Sequence, residues 1–375
     1  MNFDSYRRLF PILDKYIYLD HSGIGPVSLR VRDAVSQFIE SAAGEGGFTY
    51  KKWMEKVENS RKICADLIGA ENDEVAFVKS TSHGISLVAS GLKWKKGDNL
   101  LVYEKEFPSN IYPWLNLQKK GVEIKFIKDD KGEINLSEIE KLADSNTRLL
   151  SISSVQYSNG FKADLEKIGE FCSSNNILFF VDAIQSLGVL PMDVKKFKID
   201  FLSADGHKWM LSLEGTGIFY CSKYKAHLIT PSLLGWKSII DESNYGNINF
   251  VLKENALKFE EGSLNVIGII AMGEAVALLS EIGIPNIQKK VQSLGNLTME
   301  LAGNRNYKII SPLDISKRGG IVSFSGDFDK QKLRDKLEEN NIMVNFRGGA
   351  IRVSPHFYNN KNDIENLFQK IDKLI

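Results

Sequence analysis

The chain has 375 residues and an almost balanced charge, with 48 basic against 47 acidic side chains. This balance gives no electrostatic reason to expect nucleic acid or a membrane surface as the main partner, and 43% hydrophobic with 25% charged residues argues against disorder. Three widely spaced cysteines (Cys64, Cys172, Cys221) form no CxxC pair, which disfavours both a disulfide framework and a structural metal site.

The first twenty residues mix charges throughout and lack the apolar core of a signal peptide. The most apolar later stretch, residues 266–284, contains Glu274 and Glu281. Two carboxylates in such a stretch favour a buried amphipathic helix over a membrane span. We therefore expect a soluble, cytoplasmic protein of two or three domains.

Strand and helix patterns alternate between residues 75 and 221. The predicted strands are residues 75–78, 99–103, 123–127, 148–153, 177–181, 200–204 and 217–221. The predicted helices are residues 82–91, 111–120, 136–143 and 164–173, preceded by helices at 29–43 and 53–68. Such alternation predicts crossover units, and hence an α/β fold whose mostly parallel sheet is flanked by helices.

The pattern changes after about residue 255. A long helix at 266–282 leads to two weaker strands, at 320–325 and 350–354, and two further helices at 330–340 and 361–374. This part is typical of a smaller α+β domain. We expect a large domain over residues 20–260, and a small domain that combines residues 1–19 with residues 261–375.

An acid and a lysine follow neighbouring strands of the predicted sheet. Asp182 begins the sequence DAIQSLG after one strand, and Lys208 lies in DGHKWM after the next. Ligands of parallel sheets bind beyond the carboxyl ends of strands, so both side chains face one cleft. Pyridoxal phosphate requires this pair, because a lysine amine forms its Schiff base and a carboxylate keeps its ring nitrogen protonated.

Each of these residues also has a simpler interpretation. An Asp after a strand is often a helix cap, and a Lys is usually a solvated surface group. The segment STSHGIS, which follows a strand and opens a helix, offers Ser82 and His83 as an anion site, but a Ser cap alone explains it equally well. His207, beside the lysine, is either a further donor or a core histidine.

Several motifs together resemble a known family. YIYLDHSGIGPVS, STSHGISLVASGL, EFPSNIYPW, VDAIQSLG, DGHKWMLSLEGTGIFY, FEEGSLN and IRVSPHFYN occur in this order along nearly the whole chain. The chain resembles the class V aminotransferases of pyridoxal-phosphate fold type I. This group includes cysteine desulfurases, selenocysteine lyases and isopenicillin N epimerase-like proteins. Each motif alone is weak, but their combined order is specific.

The resemblance implies roles for the residues around the cofactor ring. Lys208 matches the Schiff-base lysine, and Asp182 matches the partner of the pyridinium nitrogen. Gln185 matches a glutamine that hydrogen-bonds the phenolic oxygen of the ring. Phe107 lies where many members stack an aromatic ring on the cofactor, although a core phenylalanine is an equally good interpretation.

The resemblance also implies how the phosphate is held. Ser82 falls where the family has a phosphate-binding Thr, His83 would add a backbone N–H, and His207 matches a phosphate-contacting His. Ser263 matches a Thr that reaches the phosphate of the neighbouring subunit's cofactor. This last match implies a homodimer with shared active sites.

Two arginines near the carboxyl end are candidates for substrate binding. Arg352 matches the arginine that holds the substrate α-carboxylate, a task that suits a planar bidentate guanidinium. Arg347, earlier on the same loop, would be free to bind a polar or acidic substrate side chain. A solvated loop arginine is the simpler interpretation of Arg347.

The chain departs from the family in three places. Asp205 stands where many relatives have a phosphate-binding Ser, so either it points away, towards His207, or the phosphate site is rearranged. Tyr157 stands where desulfurases often have an Asn that contacts the ring oxygen, and whether Gln156 or Tyr157 replaces that contact stays open. The loop at residues 345–352, NFRGGAIR, lacks the nucleophilic cysteine of a desulfurase, and the three cysteines present are expected to be buried.

We therefore predict a pyridoxal-phosphate enzyme that acts at the α-carbon of an amino acid, in the first place an aminotransferase. An isopenicillin N epimerase-like epimerase or racemase, or a lyase on a modified amino acid, is the alternative. A cysteine desulfurase is disfavoured by the missing loop cysteine. A binding protein without catalysis comes last, because it would have no use for a catalytic lysine. A nicotinamide enzyme is disfavoured because no G-x-G-x-x-G follows an early strand.

Overall fold

A computed structural model describes residues 3–246 and 248–375 of the chain. Within these ranges the helices are α1 (Asp4–Arg7), α2 (Leu29–Gly44), α3 (Tyr50–Ile68), α4 (Thr81–Gly91), α5 (Tyr112–Leu115), α6 (Leu136–Leu142), α7 (Leu165–Ser174), α8 (Val266–Ile282), α9 (Ile284–Gly303), α10 (Lys330–Glu339) and α11 (Lys361–Leu374). The strands are β1 (Ile17–Tyr18), β2 (Val75–Val78), β3 (Asn99–Tyr103), β4 (Glu123–Ile127), β5 (Thr147–Ser153), β6 (Leu178–Asp182), β7 (Phe201–Asp205), β8 (Gly217–Cys221), β9 (Lys308–Ile309), β10 (Val322–Ser325), β11 (Ile342–Met343), β12 (Asn345–Arg347) and β13 (Ala350–Val353).

The central sheet has seven strands in the order β2-β8-β7-β6-β5-β3-β4. The inner pairs from β7 through β4 are parallel, and β8 runs antiparallel to both of its neighbours. Strands β2, β3, β6, β7 and β8 are buried along their whole length, because helices cover both faces of the sheet. The predicted α/β fold is confirmed, and each predicted strand of this sheet agrees with the structure to within one residue.

The parallel register decides where the active side chains lie. Strands β6 and β7 pair with Asp182 opposite Ser203, so both strands end at the same edge of the sheet. Asp182 is the last residue of β6, and Asp205 is the last residue of β7. The turn that carries Lys208 begins directly after Asp205. The sheet therefore brings residues that are distant along the chain to one edge.

Helix α8 is buried, as the sequence predicts, and the structure shows it packed against α2 and α3. Its two carboxylates lie at the surface, where Arg30 contacts Glu274 at 3.7 Å and Glu281 at 2.7 Å. Among the described residues, no single helix has the length and composition to cross a bilayer. Helices α8 and α9 reach that length and composition only as a pair, and the chain bends by 79° between them.

The carboxyl-terminal part forms a four-stranded antiparallel sheet in the order β12-β13-β10-β9. Its core contains residues of α9, α10 and α11, such as Leu294, Leu337 and Phe368. Strand β1 pairs in parallel with β11, which joins the amino-terminal segment to this part. The division into residues 20–260 and residues 1–19 with 261–375 stays a prediction.

Two helices differ from the sequence prediction. Residues 111–120 form the short α5 followed by a 3-10 helix (Asn116–Lys120) rather than one helix. Trp114 and Leu117 are both buried there, and a three-residue turn places them on one face. Helix α9 was not predicted, although its buried residues recur at helical spacing (Ile287, Val291, Leu294, Thr298, Ala302).

Candidate active site

Asp182 and Lys208 lie close enough to influence each other's ionisation. Asp182 is 2% exposed and accepts a hydrogen bond from the backbone N–H of Ile184 at 3.1 Å. Burial raises the pKa of Asp182, and the nearby Glu106 carboxylate raises it further. Burial lowers the pKa of Lys208, while Asp182 opposes that change. The structure thus brings together the acid and the amine that the sequence predicts to share a cleft.

The amino-terminal loop fixes the backbone of the lysine turn. The N–H of Gly25 donates to the carbonyl of His207 at 2.6 Å, and a Cβ at Gly25 would lie 2.1 Å from the Lys208 carbonyl oxygen. Only glycine permits this approach. The N–H of Leu211 donates to the same Lys208 carbonyl at 3.1 Å. The Lys208 amine lies 5.7 Å from the centroid of the Phe107 ring.

Gln185 is buried and held by two hydrogen bonds. Its amide nitrogen donates to the carbonyl of Ser22 at 3.0 Å, and its amide oxygen accepts from the indole N–H of Trp209 at 2.8 Å. These bonds orient the side chain and leave the second amide hydrogen available. The structure therefore places Gln185 between the lysine turn and the amino-terminal loop.

The start of α4 has the geometry of an anion site. The hydroxyl of Ser80 accepts from the N–H of His83 at 3.2 Å and caps the helix. Ser82 donates to Ser109 at 2.8 Å. The Nε2 atom of His83 is buried and has no hydrogen-bond partner in the described chain. The dipole of α4 and its first N–H groups favour an anion at this position.

Asp205 points towards His207, which is one of the two arrangements that its departure from the family pattern left open. Asp205 Oδ1 lies 2.9 Å from His207 Nδ1, although the two atoms are poorly aligned for a hydrogen bond. The backbone N–H of Asp205 donates to the hydroxyl of Thr81, the first residue of α4, at 3.0 Å. The carboxylate thus faces the imidazole, and the backbone links β7 to the helix start.

Arg352 lies on β13 and is 2% exposed. Its Nη1 donates to the carbonyl of Tyr157 at 2.7 Å, and its Nη2 lies 3.5 Å from Asp20 Oδ1. Asn345 donates to the other oxygen of Asp20 at 2.8 Å. The Nε atom of Arg352 is buried without a partner among residues 3–246 and 248–375. Burial lowers the pKa of Arg352, the charge of Arg347 acts in the same direction, and Asp20 opposes both.

Two aromatic rings meet at the mouth of the site. Phe107 and Tyr157 have centroids 5.2 Å apart and meet edge to face. Phe107 is 39% exposed, so its ring is available to a ligand. Ser263 lies on an exposed segment before α8, and no contact places it with the other predicted site residues of the described chain. The role expected for Ser263 is contact with the phosphate of a neighbouring subunit's cofactor.

Sequence reasoning missed two buried acids of the site. Glu106 accepts from the backbone N–H of Ser153 at 2.7 Å and from Gln156 Nε2 at 2.8 Å. Asp20 contacts Arg352. Each follows a strand by two or three residues, as Glu106 follows β3 and Asp20 follows β1. The rule that selected Asp182, an acid at a strand's carboxyl end, would have found Glu106, because β3 was predicted. It could not have found Asp20, because β1 was not among the predicted strands.

The residues present fit pyridoxal phosphate. A buried carboxylate and an amine with a lowered pKa meet at the sheet edge, and a helix start lies beside them. Buried polar atoms of His83, Gln156 and Arg352 have no partner within the described ranges, which is the pattern of a site built for a polar ligand.

Comparison with known proteins agrees with this geometry. A profile of the family Aminotransferase class-V matches residues 17–367. The chain belongs to the class V aminotransferase family. It is accordingly a pyridoxal-phosphate-dependent enzyme of fold type I, and the predicted family, fold class and cofactor are confirmed.

Individual relatives carry two kinds of name. A protein of Methanothermobacter thermautotrophicus named "probable cysteine desulfurase" is 30% identical over 100% of this chain and 98% of its own length. An uncharacterized aminotransferase of Bacillus subtilis is 27% identical, over 98% of this chain and 97% of its own. The apo structure of a cysteine desulfurase from Thermococcus onnurineus superposes with a TM-score of 0.92 at 27% identity, covering 99% of this chain and 97% of its own.

The class V chain described here carries no accessible thiol. Cys64, Cys172 and Cys221 are all buried, and burial raises the pKa of each. The hairpin formed by β12 and β13 contains no cysteine. Buried thiols with raised pKa values are poor nucleophiles, because the thiolate is the reactive form.

Proposed function

We propose that this enzyme is an aminotransferase that acts on an α-amino acid. The proposal is supported by the proximity of Lys208 to Asp182 and Arg352, whose charges both act on its ionisation, beside a hairpin that carries no thiol. Lys208 would hold the cofactor covalently, and Asp182 would face its ring nitrogen. Gln185, Phe107, His207, Ser82 and His83 are proposed as the remaining cofactor contacts from this chain.

Arg352 is proposed to bind the substrate α-carboxylate through its guanidinium. The Tyr157 carbonyl and Asp20 hold that guanidinium in place, so the α-carbon of a bound amino acid would be oriented before reaction. When bound, the cofactor supplies an electron-withdrawing ring that acidifies the α-carbon.

Lys208 is proposed as the general base. A buried amine with a lowered pKa is neutral in a larger fraction at a given pH, so it accepts the α-proton more readily. A proton returned to the α-carbon from the opposite face would give an epimer. Loss of the amino group to the cofactor gives transamination, which needs no further residue.

The names of the relatives favour a second candidate, cysteine desulfuration. It would require a thiol beside the substrate, and the described chain has none exposed. We therefore rank transamination first. An epimerase or lyase uses the same lysine, acid and arginine, so an experiment must separate these reactions.

We also propose a cytoplasmic homodimer in which Ser263 of each subunit contacts the cofactor of the other. Its exposed position, apart from the other site residues of its own chain, supports this. Mass measurement in solution tests the dimer. Mixing Lys208→Arg subunits with Ser263→Ala subunits tests the sharing. In a mixed dimer, one site combines the intact Lys208 of the Ser263→Ala subunit with the intact Ser263 of the Lys208→Arg subunit, whereas neither variant homodimer has such a site.

The experiment that tests the function is a half-reaction screen of the holoenzyme with a broad panel of amino acids. Conversion of the cofactor to its pyridoxamine form, with release of a keto acid, supports transamination. Solvent-hydrogen exchange at the α-carbon without that conversion favours an epimerase. Sulfide or persulfide release from L-cysteine favours desulfuration. Lys208→Arg should remove the cofactor absorbance that borohydride bleaches, whereas Lys258→Arg, at another buried lysine, should retain it.

A further inference from the structure

The hairpin of β12 and β13 places three polar side chains on one face. Asn345 pairs with Arg352 and Arg347 pairs with Ala350 across the hairpin. Alternate residues of a strand point to the same side, so Asn345, Arg347 and Arg352 share one face. The turn between the strands consists of Gly348 and Gly349, both with positive φ, as a two-residue hairpin turn requires. The register that places Arg347 on this face is therefore fixed.

This face is the one that borders the active site. Asn345 and Arg352 both contact Asp20, and Arg352 also holds the carbonyl of Tyr157. The opposite face is apolar, since Phe346 packs into the core beneath the hairpin together with residues of α10. Arg347 therefore points to the side of the cleft, roughly 7 Å along the strand from Asn345.

The positive charge on this face exceeds the negative charge. Asp20 is the carboxylate that contacts Arg352. Arg347 is exposed, and within the described ranges no carboxylate lies at ion-pair distance from it. Its charge is close enough to act on Arg352, because it helps to lower the pKa of that guanidinium. When a substrate α-carboxylate is bound to Arg352, the nearby guanidinium of Arg347 would therefore still lack an anionic partner.

We propose that Arg347 binds an anionic group on the substrate side chain, so that the preferred substrates are α-amino acids with a second acidic group. The proposal rests on the proposed function for the role of Arg352. A guanidinium matches a carboxylate or a phosphate with two parallel hydrogen bonds, which makes it suited to this task. The glycine turn keeps the side chain at the mouth of the cleft, where the far end of a substrate would lie.

The test uses matched pairs of amino acids on the holoenzyme: aspartate with asparagine, glutamate with glutamine, and O-phosphoserine with serine. The wild type should convert the acidic member of at least one pair faster than its neutral partner. Arg347→Gln should lower kcat/KM for that acidic substrate by about 10- to 100-fold, the loss expected for a hydrogen-bonded charge. The neutral partner should change little, and Arg347→Lys should restore part of the loss.

Lys330→Gln is the matched control. The Lys330 amine would lie 3.0 Å from a Cβ at Gly349, so it borders the same turn, but it belongs to α10 on the opposite, core-facing side. It should leave the preference for acidic substrates unchanged. An equal loss by Arg347→Gln for acidic and neutral partners would overturn the proposal, because Arg347 would then serve the α-carboxylate. Faster reaction of the neutral partner in every pair would overturn it as well.

A binding measurement separates this proposal from the proposed function. Calorimetric titration should show that the holoenzyme binds succinate or glutarate at least tenfold more tightly than butyrate, and Arg347→Gln should remove the difference. If no amino acid reacts, the aminotransferase proposal fails, while the dicarboxylate preference still supports the role of Arg347. Equal binding of the mono- and dicarboxylates overturns that role whatever the reaction is.

Discussion

A buried ion pair joins the sheet to the segment that leads to Ser263. Arg61 on α3 is 2% exposed and donates to the two oxygens of Glu260 at 2.6 and 3.0 Å. Glu260 also accepts the backbone N–H of Phe77 on β2 at 2.8 Å. Burial opposes the charge of Arg61, but the carboxylate of Glu260 outweighs it and raises the pKa of the guanidinium. The Arg61 guanidinium therefore stays charged in the folded protein.

The substitution Glu260→Gln removes the charge but keeps the shape and the acceptor for Phe77. Arg61 then remains buried without its main counter-charge, which costs about 3 to 5 kcal/mol of unfolding free energy when one partner of a buried pair is removed. Arg61 keeps its hydrogen bond to the carbonyl of Val75, at 2.9 Å, so we expect a loss of unfolding free energy near the lower value, about 3 kcal/mol. With an unfolding entropy of about 2.1 cal/mol/K per residue, a change of 1 kcal/mol shifts Tm by about 1.3 °C for 375 residues, so Tm should fall by about 4 °C.

Glu58→Gln is the matched control for this prediction, because Glu58 contacts the same guanidinium at 3.0 Å but is 59% exposed. An exposed pair is worth at most about 1 kcal/mol, so Tm should fall by less than about 1.5 °C. Differential scanning calorimetry of the holoenzyme variants measures both shifts. The double variant Arg61→Met with Glu260→Gln should recover part of the loss, since no buried charge is then left unpaired. Equal shifts for Glu260→Gln and Glu58→Gln, or a double variant no more stable than Glu260→Gln alone, would refute the reasoning.

Three further predictions concern the site itself. Burial lowers the pKa of Lys208, so the rate of reductive labelling of Lys208 in cofactor-stripped enzyme should rise with pH and reach its plateau at a pH well below the ordinary lysine pKa of 10.5. A plateau reached only near pH 10.5 would contradict this. Asp205→Asn removes the carboxylate that faces His207, a proposed cofactor contact, so the cofactor should be lost on dialysis about fivefold faster. An unchanged release rate would argue against a role of Asp205 in positioning His207. Arg352→Lys should raise KM for the amino acid by at least about tenfold, because the bidentate fork is lost. A KM within twofold of wild type would contradict it.

The parts of the site that lie directly after strands could be predicted from the sequence. Asp182 and Lys208 follow β6 and β7, and parallel strands bring their carboxyl ends to one edge. The contact between Asp205 and His207 was one of two arrangements expected from the sequence, because only one residue separates them and the acid departs from the family pattern. In each case a local pattern, combined with one topological rule, decides the position.

Other parts of the site depend on contacts that no local pattern encodes. Asn345 donates to Asp20 across 325 positions of the chain, and the amino-terminal loop contacts the lysine turn through Gly25. Such contacts follow from how two distant segments pack, which spacing and periodicity do not report. The orientation of Arg347 also required the observed hairpin register, because a shift of one residue would turn its side chain to the core.

The hairpin decides how far the names of the relatives can be transferred to this chain. A desulfurase route would need a thiolate near the substrate, yet each thiol here is buried with a raised pKa. The turn of the hairpin is two glycines at positive φ, where an L-residue such as cysteine is disfavoured. Arg347 stands beside this turn instead, and a guanidinium can bind an anion but cannot accept sulfur as a nucleophile. These features of the hairpin support the proposed transamination over desulfuration on the same cofactor.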